Sequence, residues 1–389
     1  MTDSPSPAEE PADSPAPQAE PPSGASPRRR RRPLSRKKKL AFASVFLVLS
    51  LGTAEIVTRV ADAARGANVA SHDPARTMFR PDPFMQVVLR PGAELIDPEQ
   101  TFKINRLGFR GPDFEGPKPA GTIRVICVGA STTFGHSAPS DATTWPRLLE
   151  GKLREALPGQ TIQVINAGVP GYTTFHNLPN LALRLLPLEP DVVVFYQGVN
   201  DLAQQSKLAR DPTGYRVVRP KRTSHSVLTK AKESSLLYLV LRNQIQAWRR
   251  KHVEAPEGLG SEIDAAAPRA YERNLRGMVT LTKEAGATPV LVTFGSRYLS
   301  QPTPEQERAA WVDMHLAALN YEGLVAGHKR YNEIVRAVAK RYQAPLAEGE
   351  ALSGQQELFS DSVHLTEPGR RALADVVFPL VKAALEGRQ

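Results

Sequence analysis

From Thr122 onward the chain alternates short apolar stretches with longer amphipathic ones, and no other feature constrains its fold as strongly. Residues 123–128 (IRVICV) are apolar apart from Arg124, the pattern of a strand buried on both faces. Trp145-Pro146 opens a helix predicted to reach about 156, with Thr143 or Thr144 as cap and proline at a position that tolerates it. A strand at 162–165, a helix near 176–186 and a strand at 191–197 follow. A long helix at about 268–285, a strand at 288–294, a helix at 329–342, a short strand around 345–347 and a last helix at 367–385 complete the series. Strands separated in this way by helices call for a parallel sheet covered on both faces, an α/β architecture.

The segment ahead of this series has a different character. Residues 1–27 hold eight of the 34 prolines among Ser, Ala and Glu, a composition that cannot bury a core and is predicted to be disordered. Residues 28–39 (RRRRRPLSRKKK) carry nine basic residues and no acid. Residues 40–57 are then apolar except for Glu55, close to the roughly 20 residues a membrane-spanning helix needs. Only this stretch is apolar enough to enter a bilayer, which excludes a multi-span protein. An uncleaved signal anchor is the favoured reading, ahead of a leader cleaved at Ala61-Asp62-Ala63 or a buried soluble helix. The adjacent basic run keeps the N-terminus cytoplasmic by the positive-inside rule, so everything after residue 57 is predicted to be extracytoplasmic, periplasmic or at the cell surface. The expected organisation is a tail at 1–39, an anchor at 40–57, a juxtamembrane and lead-in segment at 58–121 with β-like runs at 85–89 and 101–104, and a main domain at 122–389.

Charge narrows the range of partners. The net charge of +10 is held by 28–39 and by 203–253, where twelve basic residues meet only Asp211 and Glu233. Those segments carry +9 and +10, so the remainder is mildly acidic by difference from the total. Nucleic acid is therefore not an expected partner. The single cysteine, Cys127, excludes a disulfide-stapled scaffold and reads as a small buried hydrophobe inside the first strand. The eight histidines show no metal-site spacing, and neither a metal nor a cofactor is expected.

In an open parallel sheet, reactive groups collect beyond the carboxyl ends of the strands. After the first strand comes Gly129-Ala130-Ser131, which exposes a serine hydroxyl at a turn that is also a candidate for simple turn chemistry or a phosphate cradle. After the second comes Asn166-Ala167-Gly168-Val169-Pro170-Gly171, where Gly168 can bring a bare backbone N–H to a substrate oxygen. After the third comes Gly198-Val199-Asn200-Asp201, whose Asn200 can aim an amide N–H at the same point or cap a helix. Near the C-terminus, Asp361 stands three residues before His364, a spacing that lets a carboxylate hold one imidazole nitrogen and leave the other free.

In this order GAS, NAGVPG, GVND and DSVH resemble the blocks of the SGNH (GDSL-type) serine hydrolases, over about 122–385. The preceding KINRLGFRGP (103–112) is similar to the lead-in of envelope-directed bacterial members. The resemblance implies a flavodoxin-like three-layer α/β/α sandwich. It also implies a catalytic triad of Ser131 as nucleophile, His364 as base and Asp361 as its orienting carboxylate. The Ser131 and Gly168 backbone N–H groups and the Asn200 amide would form the oxyanion hole. Ala130 departs from the family's namesake motif, which has aspartate there; that residue lies outside the triad. The implied activity is that of a membrane-anchored serine esterase on O-acyl groups, foremost O-acetyl groups of cell-envelope or exported polysaccharide. An O-acyltransferase with the same triad, a lipase or phospholipase-type esterase, and a catalytically idle glycan-binding protein are the alternatives.

Three features lie outside these blocks. His136, five residues after Ser131, is expected in a surface loop. Trp311, Asp313 and His315 fall in a helical insertion with core and lid roles both open. The basic insertion, about 203–262, contains a helix with Leu237, Leu241, Ile245 and Trp248 on one face and Arg242, Arg249, Arg250 and Lys251 elsewhere. It is expected to cover the hydrolase body, with an anionic glycan or the membrane surface as the alternative contact.

Overall fold

The computed structural model describes residues 35–66, 72–73, 77–205, 235–252 and 255–387. The proline-rich tail, the first part of the basic run and residues 206–234 of the basic insertion lie outside the described residues.

Five parallel strands form the central sheet: β5 (Thr122–Gly129), β6 (Thr161–Gly168), β7 (Val192–Tyr196), β8 (Thr288–Val292) and β9 (Leu346–Ala347), in the order β6-β5-β7-β8-β9. The chain starts in the interior, turns to one edge and returns past its start toward the other. The loops after β5, β6 and β7 therefore gather at the switch point where such sheets bind ligands. Register makes the gathering tight, because Gly129 pairs with both Gly168 and Tyr196. The carboxyl ends of three strands are level.

Helices cover both faces. On one lie α3 (Trp145–Ala156) and the last helix, α10 (Glu367–Glu386), packed on each other. Trp145, Leu149 and Leu153 of α3 and Leu373, Val377 and Val381 of α10 are buried, spaced three to four residues apart as a single helical stripe requires. On the other face lie α4 (Thr174–Asn180), α7 (Ala266–Glu284) and α9 (Tyr321–Tyr342). The helix predicted near 176–186 is shorter than expected. Past Asn180 it widens into a π turn, Leu181–Leu185, and tightens into a 3₁₀ turn, Leu186–Leu188. Pro179 and Pro187 lack the N–H donors that a regular α ladder would need there.

Before the sheet, β1 (Phe79–Asp82) and β2 (Gln86–Leu89) form one antiparallel pair, and β3 (Glu94–Ile96) and β4 (Thr101–Lys103) another. Their side chains Met85, Val88, Leu95 and Phe102 make a second apolar cluster that includes Phe134, Val169 and Tyr172. The lead-in thus packs beneath the loops that follow β5 and β6. The N-terminal apolar stretch is a helix, α1 (Arg36–Ala64), of 29 residues and long and apolar enough to cross a membrane. Residues up to Gly52 belong to one compact unit and those from Thr53 to another.

Candidate active site

Ser131 opens α2 (Ser131–Phe134), the short helix that leaves β5. The turn is tight enough to dictate its sequence, since a Cβ on Gly129 would overlap Thr133 Oγ1 and Tyr196 O. Ala130 is buried, 5% exposed, so no charged side chain occupies the position between strand and serine.

His364 reaches this serine from a loop closed on itself. The Ser360 N–H donates to His364 O (2.8 Å), and Asp361 Oδ1 accepts the N–H groups of Val363 (2.9 Å) and His364 (2.8 Å). Asp361 Oδ2 lies 2.6 Å from His364 Nδ1, and His364 Nε2 lies 2.8 Å from Ser131 Oγ. A carboxylate accepting from Nδ1–H leaves the Nε2 lone pair facing the hydroxyl. Burial alone would raise the Asp361 pKa, but the hydrogen bond and charge of His364, with two backbone N–H donors, outweigh it and hold the value at about 2. Asp361 is thus an anion across the working pH range.

Asn200, in α5 (Val199–Ala203), donates from Nδ2 to Tyr172 O at 2.9 Å, which brings the loop after β7 against the loop after β6. Gly168 is placed differently from its expected role. It ends β6 beneath α2, where a Cβ would overlap Phe134 N and come within 2.8 Å of Phe134 Cα. Its N–H donates to Asn166 Oδ1 (3.1 Å), so in this arrangement it is already taken. Three residues on, Gly171 has φ +84°, a left-handed conformation natural to glycine, and open space where a Cβ would sit. Among the described residues its N–H has no acceptor. The packing at Gly168 is decided by the pairing of β5 with β6, which spacing alone does not reveal.

Several side chains outside the four blocks hold this geometry. Asp313 ends α8 (Pro304–Met314), and its Oδ2 accepts from Ser362 N (3.0 Å) and Ser362 Oγ (2.7 Å), bracing the loop between Asp361 and His364. The His136 ring, expected at the surface, is solvent-accessible but lies 5.1 Å from the His364 ring. Asp201 accepts from Thr174 N (3.1 Å) and Thr174 Oγ1 (2.6 Å), fastening the start of α4. Its enclosure raises its pKa to about 7 despite those bonds. Arg110, within the KINRLGFRGP lead-in, is wholly buried. It donates to Phe134 O (3.1 Å), Gly135 O (2.6 Å), Ala138 O (3.3 Å) and Asp141 Oδ1 (2.8 Å). It therefore clamps the exit of α2 from behind.

The doubly wound sheet, with serine, glycine-loop, asparagine and histidine blocks at its carboxyl edge, is the fold of the SGNH hydrolases. The chain belongs to the GDSL-like Lipase/Acylhydrolase family, which matches residues 127–372. An arylesterase from Vibrio mimicus is 35% identical over 78 residues, 20% of this chain and 38% of that protein. The match thus spans well under half of that relative's length. Among solved structures, a catalytic mutant of an acetylxylan esterase from Geobacillus stearothermophilus is similar at TM-score 0.41 and 16% identity, covering 67% of this chain and 94% of that one. A lipase/acylhydrolase from Enterococcus faecalis is similar at TM-score 0.41 and 15% identity, covering 67% and 96%.

Proposed function

We propose that the protein is a serine esterase working through an acyl-enzyme, with Ser131, His364 and Asp361 as its triad. The observation that carries the reading is the position of His364, 2.8 Å from Ser131 Oγ and 2.6 Å from Asp361 Oδ2. Ser131 Oγ attacks the ester carbonyl carbon as its proton passes to His364 Nε2. The resulting oxyanion is met by the Ser131 N–H at the opening of α2 and by the Asn200 amide. For the glycine donor the unpaired Gly171 N–H is the better assignment, because Gly168 spends its own on Asn166. Collapse expels the alcohol, which takes the proton from His364. Water then repeats the sequence on the acyl-serine, and the carboxylic acid leaves.

The favoured substrate is an O-acylated, foremost O-acetylated, carbohydrate of the cell envelope or an exported polysaccharide. A cavity of about 490 Å³ borders Asp361 and Ser362, where polar side chains such as Arg297, Gln306 and Gln356 alternate with Tyr298, Ala309, Ala310 and Tyr321. Neither Ser131 nor His364 lines it, so the substrate reading rests on the family resemblance and not on this cavity. The chain is read as a single-pass membrane protein anchored by α1, with its N-terminus cytoplasmic and this site outside.

A serine-directed fluorophosphonate tests the chemistry. The folded protein should be labelled and Ser131→Ala should not; an unlabelled wild type would refute the enzyme reading. Acetate release from acetylated polysaccharide, compared with release of longer acyl groups, tests the substrate.

A further inference from the structure

The basic insertion contributes α6 (Leu236–His252), and this helix is apolar on two opposite sides. Leu236 and Leu239 face inward, at 3% and 1% exposure. Tyr238, Leu241, Ile245 and Trp248 are spaced as one helical stripe and turn outward, at 40%, 48%, 53% and 60%. The face expected to cover the hydrolase body therefore points away from it. Four large side chains in a row, two of them Tyr and Trp, are more than the scattered apolar exposure of an ordinary surface.

The covering partner is indicated by where the helix is fastened. Glu55, the one acid within the apolar run of α1, accepts from Ser235 Oγ (2.9 Å), Leu236 N (3.0 Å) and Leu237 N (3.0 Å). It caps α6 from α1. Further along, Arg242 Nη2 and Asn243 Nδ2 donate to His72 O (3.1 and 2.9 Å), and His72 Nε2 lies 2.7 Å from Asp62 Oδ1 of α1. Two clamps thus tie α6 to the stretch of α1 that leaves the apolar run. Beside them Ile56, Val57 and Val60 of α1 are exposed as well, at 60–64%. The helix itself contains Arg242, Arg249, Arg250 and Lys251 and no acid, the composition of helices that lie against anionic lipid.

We propose that the outward stripe of α6, Tyr238, Leu241, Ile245 and Trp248, is seated in the bilayer leaflet from which α1 emerges, as a second membrane contact of the protein. This rests on the reading that α1 spans a bilayer. A carboxylate near the end of an apolar span is costly when unpaired; Glu55 is met by Arg59 on α1 (2.8 Å) and by the free N–H groups of α6, which holds the start of α6 at the same depth as this end of the span. Seating the stripe also fixes the hydrolase unit to the membrane at two points, so that it cannot swing freely about the end of α1.

Cys127 is buried, so a cysteine introduced elsewhere can be labelled selectively. The full chain would be reconstituted in phosphatidylcholine–phosphatidylglycerol vesicles, with a polarity-sensitive fluorophore at Leu241→Cys, Ile245→Cys, Leu51→Cys or Leu183→Cys. Leu51 reports the span, and Leu183, 52% exposed on the hydrolase body, reports water. An unchanged unfolding midpoint in all four would show the fold intact. The labels at 241 and 245 should be quenched by lipid-borne nitroxide several-fold more than the label at 183, and protected from aqueous iodide. Iodide quenching at 241 and 245 equal to that at 183, with 51 still quenched only from lipid, would overturn the seating while leaving the span standing. Iodide access at 51 would remove the span, and the inference with it.

Discussion

Arg110→Ala is the substitution whose cost can be worked out most fully from the structure. The guanidinium is inaccessible to solvent, while its ion-pair partner Asp141 keeps 27% of its side chain exposed. Truncation leaves the carbonyls of Phe134, Gly135 and Ala138 without this donor and the Asp141 carboxylate without its cation, held among the described residues only by the Lys103 N–H (3.3 Å). It also removes the cation lying 4.5 Å from the Phe102 ring centre and 4.9 Å from that of Phe134. Breaking a buried pair by deleting one partner costs about 3–5 kcal/mol. Asp141 can regain water, so a value near the lower end, about 3 kcal/mol, is expected. Because two of the carbonyls terminate the helix that begins at Ser131, turnover well below the unfolding temperature should also fall, by about tenfold, as the nucleophile loses its fixed position. Arg110→Lys should recover only part of either effect, since an ammonium cannot span four acceptors with a planar fork. Urea unfolding of the full chain in detergent, with initial rates on a small aryl ester, measures both. A loss below about 1 kcal/mol in Arg110→Ala, or full recovery by lysine, would refute the claim that this lead-in residue clamps the site.

Asp361→Asn keeps the shape of the His364 loop but favours the wrong imidazole tautomer, so kcat should drop by roughly 10³–10⁴ with the unfolding midpoint little changed. Asn200→Ala should lower kcat by about 10²–10³ and leave KM nearly constant, because the donor acts on the oxyanion and not on the ground state. His176 accepts from Thr173 N (3.2 Å) as the neutral imidazole, and burial lowers its pKa from 6.5 to about 4. The stability it contributes is complete above pH 6.5 and is lost as pH falls through 4, up to roughly 3 kcal/mol. Urea midpoints at pH 7 and 4.5 should converge in His176→Gln, and an unchanged difference would show the acid sensitivity to lie elsewhere.

Much of the fold was legible because its signals are short-range. Alternating apolar runs and helix-opening prolines report local conformation, so the five strands and most of the long helices fall close to their predicted places; α9 is the exception, starting at Tyr321 and not near 329, because the Asn320 side chain caps it by accepting from Gly323 N (2.8 Å). The family blocks could be read for the same reason, and the Asp361–His364 pair needs only three residues of spacing to meet. Arg124 illustrates the limit even inside a strand. It interrupts an apolar run, yet it is buried, because Gln163, Gly116 and Leu188 supply its acceptors from other elements.

What the sequence alone determined is the order of the strands and helices, the apolar helix at the N-terminus and the family to which the blocks belong. Tertiary structure decided which groups remain available once everything nearby has paired. The sequence pointed to Gly168 as the N–H donor, and only the tertiary structure shows the Asn166 side chain, brought alongside by β6, taking that N–H while the Gly171 N–H stays without an acceptor among the described residues. Asp313 and Arg110 act on the site from outside its motifs, since hydrogen bonds to backbone carbonyls and N–H groups leave no trace in the residues they reach. The same holds for α6, whose two apolar sides are equivalent as a pattern until Glu55 and His72 fix which of them turns outward.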